Sequence, residues 1–169
     1  MCKITIIGNS GSGKSTLALK LGRIHDLPVH HLDLLVSKGE WSLVPEAEFN
    51  MTHQALLKEP KWIIEGMGYE STFDNRFSQS DLIIFIDFNI LVHIWWVIKR
   101  SMLALFQAQA GWRGRRLLIT KLPKMLIFVL RTHNNTRAMI QHRLSNYVSQ
   151  KVIRLANPKA LNDFSLDKI

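Results

Sequence analysis

The chain holds a single cysteine, Cys2, among 169 residues. A disulfide framework is therefore excluded, and a reducing cytoplasm is the expected compartment. Internal repeats and low-complexity stretches are also missing, which excludes solenoids and biased linkers. No secretory leader is expected, because Met1 runs straight into a short strand and a glycine-rich turn. Long apolar runs are lacking as well. The most apolar stretch, Leu82 to Ile98, has 17 residues and carries Asp87, Asn89 and His93. A membrane span needs about 20 apolar residues and tolerates a central carboxylate poorly. No span is expected here; the stretch reads as a buried strand, a turn and the start of a helix.

Acidic residues are scarce. Thirteen Asp and Glu stand against 22 Lys and Arg, a net charge of +9 with a pI near 10.0. That excess fits a cationic cleft for a polyanionic ligand, or, more sharply, a nucleic-acid or anionic-membrane partner. Lys99, Arg100, Arg113, Arg115, Arg116, Lys121 and Lys124 gather late in the chain, without the signature of a nucleic-acid module. The length suits one domain spanning 1–169, and a monomer or weak dimer is expected.

Strands and helices alternate. Lys3–Ile7 is an apolar, β-branched run that stops at Gly8. Helical spacing follows from Lys14, with Leu17, Leu21 and Ile24 on one face. Val29–Leu32 reads as a second strand opening into a loop at Asp33. Glu46–Lys58 reads as a helix, Trp62–Glu65 as a third strand and Leu82–Ile86 as a fourth. A helix from Leu91 to Phe106 has Ile94, Ile98, Met102 and Leu105 along one stripe, and Gln107–Thr120 reads as a loop. Two more helical stripes precede a fifth strand at Lys151–Leu155 and a short helix opened by Pro158. Such alternation predicts an α/β fold with a parallel sheet.

One motif carries chemistry by itself. Gly8-Asn9-Ser10-Gly11-Ser12-Gly13-Lys14-Ser15 matches G-x-x-x-x-G-K-[ST] at every position, between an apolar strand and an amphipathic helix. Glycines allow successive backbone N–H groups to turn inward onto phosphate oxygens. Lys14 offers a point charge to the β- and γ-phosphates, the Ser15 hydroxyl ligates Mg²⁺, and Thr16 continues the binding turn. The helix N-terminus adds its dipole. A nucleoside triphosphate, MgATP, is the expected ligand.

ITIIGNSGSGKSTLALKLG at 4–22, HLD at 31–33, WIIEGMG at 62–68, Arg76 before Asp81, and LIIFID at 82–87 together resemble the adenylate-kinase-related topology modulation proteins. That group lies in the nucleoside and nucleotide kinase branch of P-loop proteins. The resemblance runs over residues 3–100. It implies a three-layer sandwich whose five-stranded parallel sheet has the order 2-3-1-4-5, flanked by helices. It also implies a lid, here a divergent insertion around 101–121 that lacks acidic residues. Asn89 replaces the group's usual proline. Trp96 replaces the first of two arginines spaced four apart, leaving Arg100 as the second.

Candidate site residues follow from both sources. Asp33, at the mouth of the second strand, would orient or deprotonate an acceptor hydroxyl, or hold a metal-bound water. Glu65 ends the third strand, where P-loop folds hold Mg²⁺ through water. Asp87 holds the same place on the fourth strand, or caps the next helix. Arg76 and Arg100 would bring charge to phosphates in a closed state. Trp96 would stack on adenine in place of an arginine. The seven histidines show no metal-ligand spacing. Two functions stay open. One is a small kinase passing the γ-phosphoryl of ATP to an unidentified small-molecule or nucleotide acceptor. The other is a non-catalytic, nucleotide-dependent binding module acting on nucleic acid or an assembly.

Overall fold

A computed structural model describes residues 3–36, 43–106, 115–148 and 151–166. Five strands form one parallel sheet: β1 (Lys3–Gly8), β2 (Val29–His31), β3 (Trp62–Glu65), β4 (Leu82–Ile86) and β5 (Val152–Leu155). Their order is β2-β3-β1-β4-β5. β1 sits at the centre, with Ile6 opposite Glu65 on one side and Gly8 opposite Ile86 on the other. The expected fold is therefore the observed one.

Helices cover both faces, so the central strands β1, β3 and β4 are buried without alternation. Ile4, Ile6, Ile63, Leu82, Ile84 and Ile86 pack with Leu17, Ala18 and Leu21 of α1 (Lys14–His25), and with Leu161 of α8 (Pro158–Asn162). On the opposite face, Ile7, Ile83 and Phe85 meet Phe73 and Phe77 of α4 (Phe73–Gln79), and Ile140 and Leu144 of α7 (Arg137–Leu144). Trp62 and Ile64 are covered by Leu32 of α2 (Leu32–Val36) and by Phe49 and Leu57 of α3 (Glu46–Leu57). Among the described residues no helix is long and apolar enough to cross a membrane.

Several local expectations are corrected. Asp33 lies in the first turn of the short helix α2, not in a loop. On α1, Ile24 is exposed, and Ala18 and Gly22 are buried beside Leu17 and Leu21. Gly22 has no room for a side chain: a Cβ there would lie 2.5 Å from Val29 Cγ2. Helix and sheet touch through the small residues, which turns Ile24 outward. α4 escaped notice because its seven residues are too few for periodicity to show.

On α5 (Ile90–Phe106) the buried stripe is His93, Val97 and Ser101, while Met102 is exposed. Two polar residues inside that stripe hide it from a hydrophobicity reading. Ser101 satisfies its hydroxyl by donating to Val97 O at 2.8 Å. Asn89 caps the helix, its Oδ1 accepting from Leu91 N at 3.0 Å. α6 (Arg115–Arg131) begins inside the stretch expected to be a loop. Residues 107–114, the middle of the expected lid, lie outside the described residues. A π-helical turn, Thr132–Thr136, joins α6 to α7.

Candidate nucleotide and acceptor site

The loop between β1 and α1 is shaped by contact as much as by sequence. Gly11 and Gly13 have φ of +71° and +86°, a region that side chains disfavour. A Cβ on Gly11 would lie 2.8 Å from Val97 Cγ2, and one on Gly13 would lie 3.1 Å from Trp96 Cζ3. α5 thus braces the outside of the loop. α6 braces it too, because Asn9 Nδ2 donates to Val129 O at 3.0 Å. Ser10 N turns back onto Asn9 Oδ1 at 2.7 Å, Ser12 is fully buried, and Thr16 is exposed on α1.

Lys14 is buried, and its Nζ donates to Asn9 O at 2.9 Å, so the ammonium arches over the loop. Ser15 Oγ donates to Glu65 Oε1 at 2.9 Å. Glu65 is 1% exposed, and His31 Nδ1 lies 2.6 Å from the same Oε1. Oε2 of Glu65 has no hydrogen-bond partner among the described residues. A buried carboxylate oxygen left unpaired is costly. Its position beside a serine hydroxyl, at the head of a P-loop helix, suits a hydrated divalent cation. The residues present therefore fit Mg²⁺.

Asp33 is exposed next to this group, and its Oδ1 accepts from Met67 N at 3.3 Å. Gly66, with φ +109°, lets the chain pass close beneath: a Cβ there would lie 2.8 Å from Asp33 Oδ1. The two carbonyls of this turn are held by Arg76. Fully buried, it donates to Gly66 O and Met67 O at 3.2 Å each, with Phe73 and Phe77 against its guanidinium. Burial pushes its pKa down to about 10, opposed by the charges of Asp33 and Glu65. Its side chain ends on backbone here rather than reaching outward. The same burial, with the Arg76 charge second, lowers His53 to about 4.

Asp87, just past β4, is buried and surrounded. Arg137 Nε donates to Oδ1 at 2.5 Å; Oδ2 takes Arg137 Nη2 at 3.1 Å, Gln141 Nε2 at 3.0 Å and Arg154 Nη2 at 2.5 Å. Burial pushes this carboxyl up, but the Arg137 hydrogen bonds and the two arginine charges outweigh it and hold the pKa below the ordinary Asp value. Asp87 does not cap α5; Asn89 does. A small pocket lies between Asp87 and the P-loop, lined by Asn9, Met67, His93, Thr132, His133 and Arg137. His93 is 1% exposed, and its Nδ1 has no hydrogen-bond partner among the described residues. Burial, then the neighbouring His133 and Lys14, lowers it to about 4, so it is neutral at pH 7.

Among solved structures, the chain is similar to a gluconokinase from Sinorhizobium meliloti 1021. The TM-score is 0.55 at 14% identity, covering 96% of this chain and 86% of that one. The two share a fold. A shikimate kinase from Aquifex aeolicus vf5 is more loosely similar, with TM-score 0.45 and 16% identity over 86% of this chain and 99% of that one. Another, from Bacteroides thetaiotaomicron, has TM-score 0.47 and 15% identity over 86% and 95%. No family model and no curated protein matches the chain.

The fold brings Ser15 onto Glu65, turns Lys14 onto Asn9 O of the same loop, and sets Asp33 just past the end of β2. Trp96, half-buried, lies against Phe88 at 5.7 Å between ring centroids and flanks Gly13. The side chain of Arg100 lies outside the described residues. Sequence reasoning missed His31 as the neighbour of Glu65, although it precedes Asp33 in the HLD motif. It also missed the Arg154 and Gln141 contacts to Asp87, which no spacing encodes.

Proposed function

We propose that this chain is a phosphotransferase that takes the γ-phosphoryl group of MgATP to a small-molecule or nucleotide acceptor. The observation that carries the reading is the Ser15–Glu65 pair, with one buried carboxylate oxygen unpartnered beside a complete P-loop. Backbone N–H groups of residues 8–16 would hold the triphosphate, Lys14 its β- and γ-oxygens, and Ser15 with Glu65 the hydrated Mg²⁺. Bound MgATP supplies the transferable phosphoryl group, with its charge partly neutralised by the metal. Asp33, anchored by Met67 N, holds the acceptor hydroxyl in line and accepts its proton. Arg76 keeps that turn rigid and tempers the charge of Asp33 and Glu65. Trp96 and Arg100 are assigned to the adenine and the phosphates. The segment around 101–121 acts as the lid. Membership of the topology modulation group belongs to the same proposal, on the motifs around Asp33 and Glu65. The similarity to a gluconokinase supports a kinase without naming this chain's acceptor.

The deciding experiment incubates the protein with labelled ATP and a panel of nucleosides, nucleotides and small alcohols. Transfer above the hydrolysis background is expected for at least one acceptor. Asp33→Asn is expected to keep ATP affinity and to lose roughly a hundredfold in transfer rate. Transfer at the wild-type rate would reduce Asp33 to a turn residue. ATP binding without transfer to any acceptor, joined to salt-sensitive nucleic-acid affinity, would favour the binding-module reading.

A further inference from the structure

Charge is divided sharply along this chain. Residues 1–87 hold eight Lys and Arg and eleven Asp and Glu, a balance of −3; residues 88–169 hold fourteen and two, a balance of +12. From Phe88 to Asn162 no acidic residue occurs at all. This half includes α5 and α6, which pack on each other beside the P-loop.

The outward face of α5 is not polar. Leu91, Trp95 and Met102 are 69%, 61% and 55% exposed, and Lys99 is exposed among them. These positions recur at i, i+4, i+8 and i+11, on the side of the helix opposite His93, Val97 and Ser101. α6 repeats the arrangement. Val129 is buried, while Ile127 and Leu130 are exposed beside exposed Lys124 and Arg131. Large apolar side chains and basic residues share each outward face, with a tryptophan on α5, and no carboxylate interrupts them.

We propose that the outward face of α5 and α6 docks on an anionic phospholipid surface. Leu91, Trp95, Met102, Ile127 and Leu130 enter the headgroup boundary, while Lys99, Lys124 and Arg131 meet lipid phosphates. Nucleic acid shares the charge preference, but its backbone is met by polar and basic side chains and gives five exposed apolar ones nothing to cover. A second copy of the chain would bring two strongly basic halves together. Because α5 and α6 also brace the P-loop through Val97 and Asn9, docking bears on the helices that shape the nucleotide site. The proposal is independent of whether the site transfers phosphate.

The test uses the full chain with extruded vesicles, either of phosphatidylcholine alone or of equal parts phosphatidylcholine and phosphatidylglycerol. Sedimentation with the anionic vesicles only is expected, with a blue shift in tryptophan emission that Trp95→Phe removes. Leu91→Ser with Met102→Ser is expected to weaken sedimentation by about tenfold or more, from the apolar area lost. Both residues are exposed, so the fold should persist, and circular dichroism checks it. Equal binding to neutral vesicles overturns the proposal, as does undiminished binding of the double variant. Duplex DNA binding that the serine variants leave intact, with no vesicle binding, assigns the charge to nucleic acid instead. A concentration-dependent dimer abolished by the double variant, again without vesicle binding, assigns the face to a second copy.

Discussion

Glu65 and Asp87 occupy matching places: each stands at the C-terminal end of a strand flanking β1, each is buried, and each faces the P-loop region. Their surroundings differ completely. Glu65 shares one oxygen between Ser15 and His31 and leaves the other unpaired among the described residues. Asp87 spends both oxygens on Arg137, Arg154 and Gln141. A carboxylate with spare acceptor capacity can take a hydrated cation, whereas a saturated one ties elements together. Here Asp87 ties α7 and β5 to the end of β4. Both are carboxylates at the ends of strands flanking β1; the partners separate a candidate cation ligand from a fastener.

The largest expected effect tests the fastener. Asp87→Ala removes a buried carboxylate that holds Arg137, Arg154 and Gln141, and is expected to cost about 3 kcal/mol in denaturant unfolding, since the two arginines are partly exposed and regain water. Its pKa is depressed in the fold, so its contribution is fully present above the ordinary Asp value. It is lost as pH falls through the lower folded value. The variant should lack that acid limb. Between pH 6.5 and about 4 a separate loss should persist in both proteins, because His53 and His93 are held neutral by burial and must charge on unfolding. An unchanged acid limb would mean that Asp87 is not the fastener.

Next comes Glu65, the proposed cation ligand. Glu65→Gln keeps the size and an acceptor for Ser15 but loses the charge. It is expected to lower phosphoryl transfer by roughly a hundredfold at saturating ATP and to raise the Mg²⁺ requirement. The stability loss should be smaller than that of Asp87→Ala, since the amide keeps an acceptor for Ser15 and only the His31 contact and the nearby Arg76 charge lose a negative partner. A stability loss as large as that of Asp87→Ala, with normal magnesium dependence, would erase the contrast between the two carboxylates. Smaller again is the effect of Lys14→Ala. ATP affinity measured by calorimetry should fall at least tenfold, about 1.4 kcal/mol, in a folded protein. Unchanged affinity would remove the phosphate site that gives Glu65 its meaning.

The smallest effect concerns the brace between loop and helix. Asn9→Ala removes a buried hydrogen bond to Val129 O and is expected to cost about 1 kcal/mol of stability. A loss of ATP affinity without a loss of stability would instead give Asn9 a direct part in phosphate binding.

How much could be read in advance differs along the chain. The P-loop is legible because its chemistry depends on contiguous residues: glycines for the turn, then Lys14 and Ser15 at fixed offsets. Trp62–Glu65 and Leu82–Ile86 are legible because strands buried on both faces must be apolar throughout. The helix faces are not, since the buried stripe on α5 includes His93 and Ser101, whose burial follows from how the helix packs and not from their polarity. Arg76 illustrates the same limit. An arginine before a strand reads as a phosphate ligand, yet this one is wholly enclosed by Phe73, Phe77 and the carbonyls of the 66–68 turn.

By itself, then, the amino-acid order determined the parallel α/β architecture and the glycine-rich P-loop motif, because both rest on local periodicity and adjacent residue types. The strand order came through a family resemblance rather than from spacing. Only the tertiary structure decided that Glu65 keeps an unpaired oxygen while Asp87 does not. It alone set His31 beside Glu65, and laid α5 and α6 against the P-loop with their apolar and basic side chains outward. Those outcomes depend on groups separated by 34 to 120 positions, and such distances close only when the sheet and its helices pack.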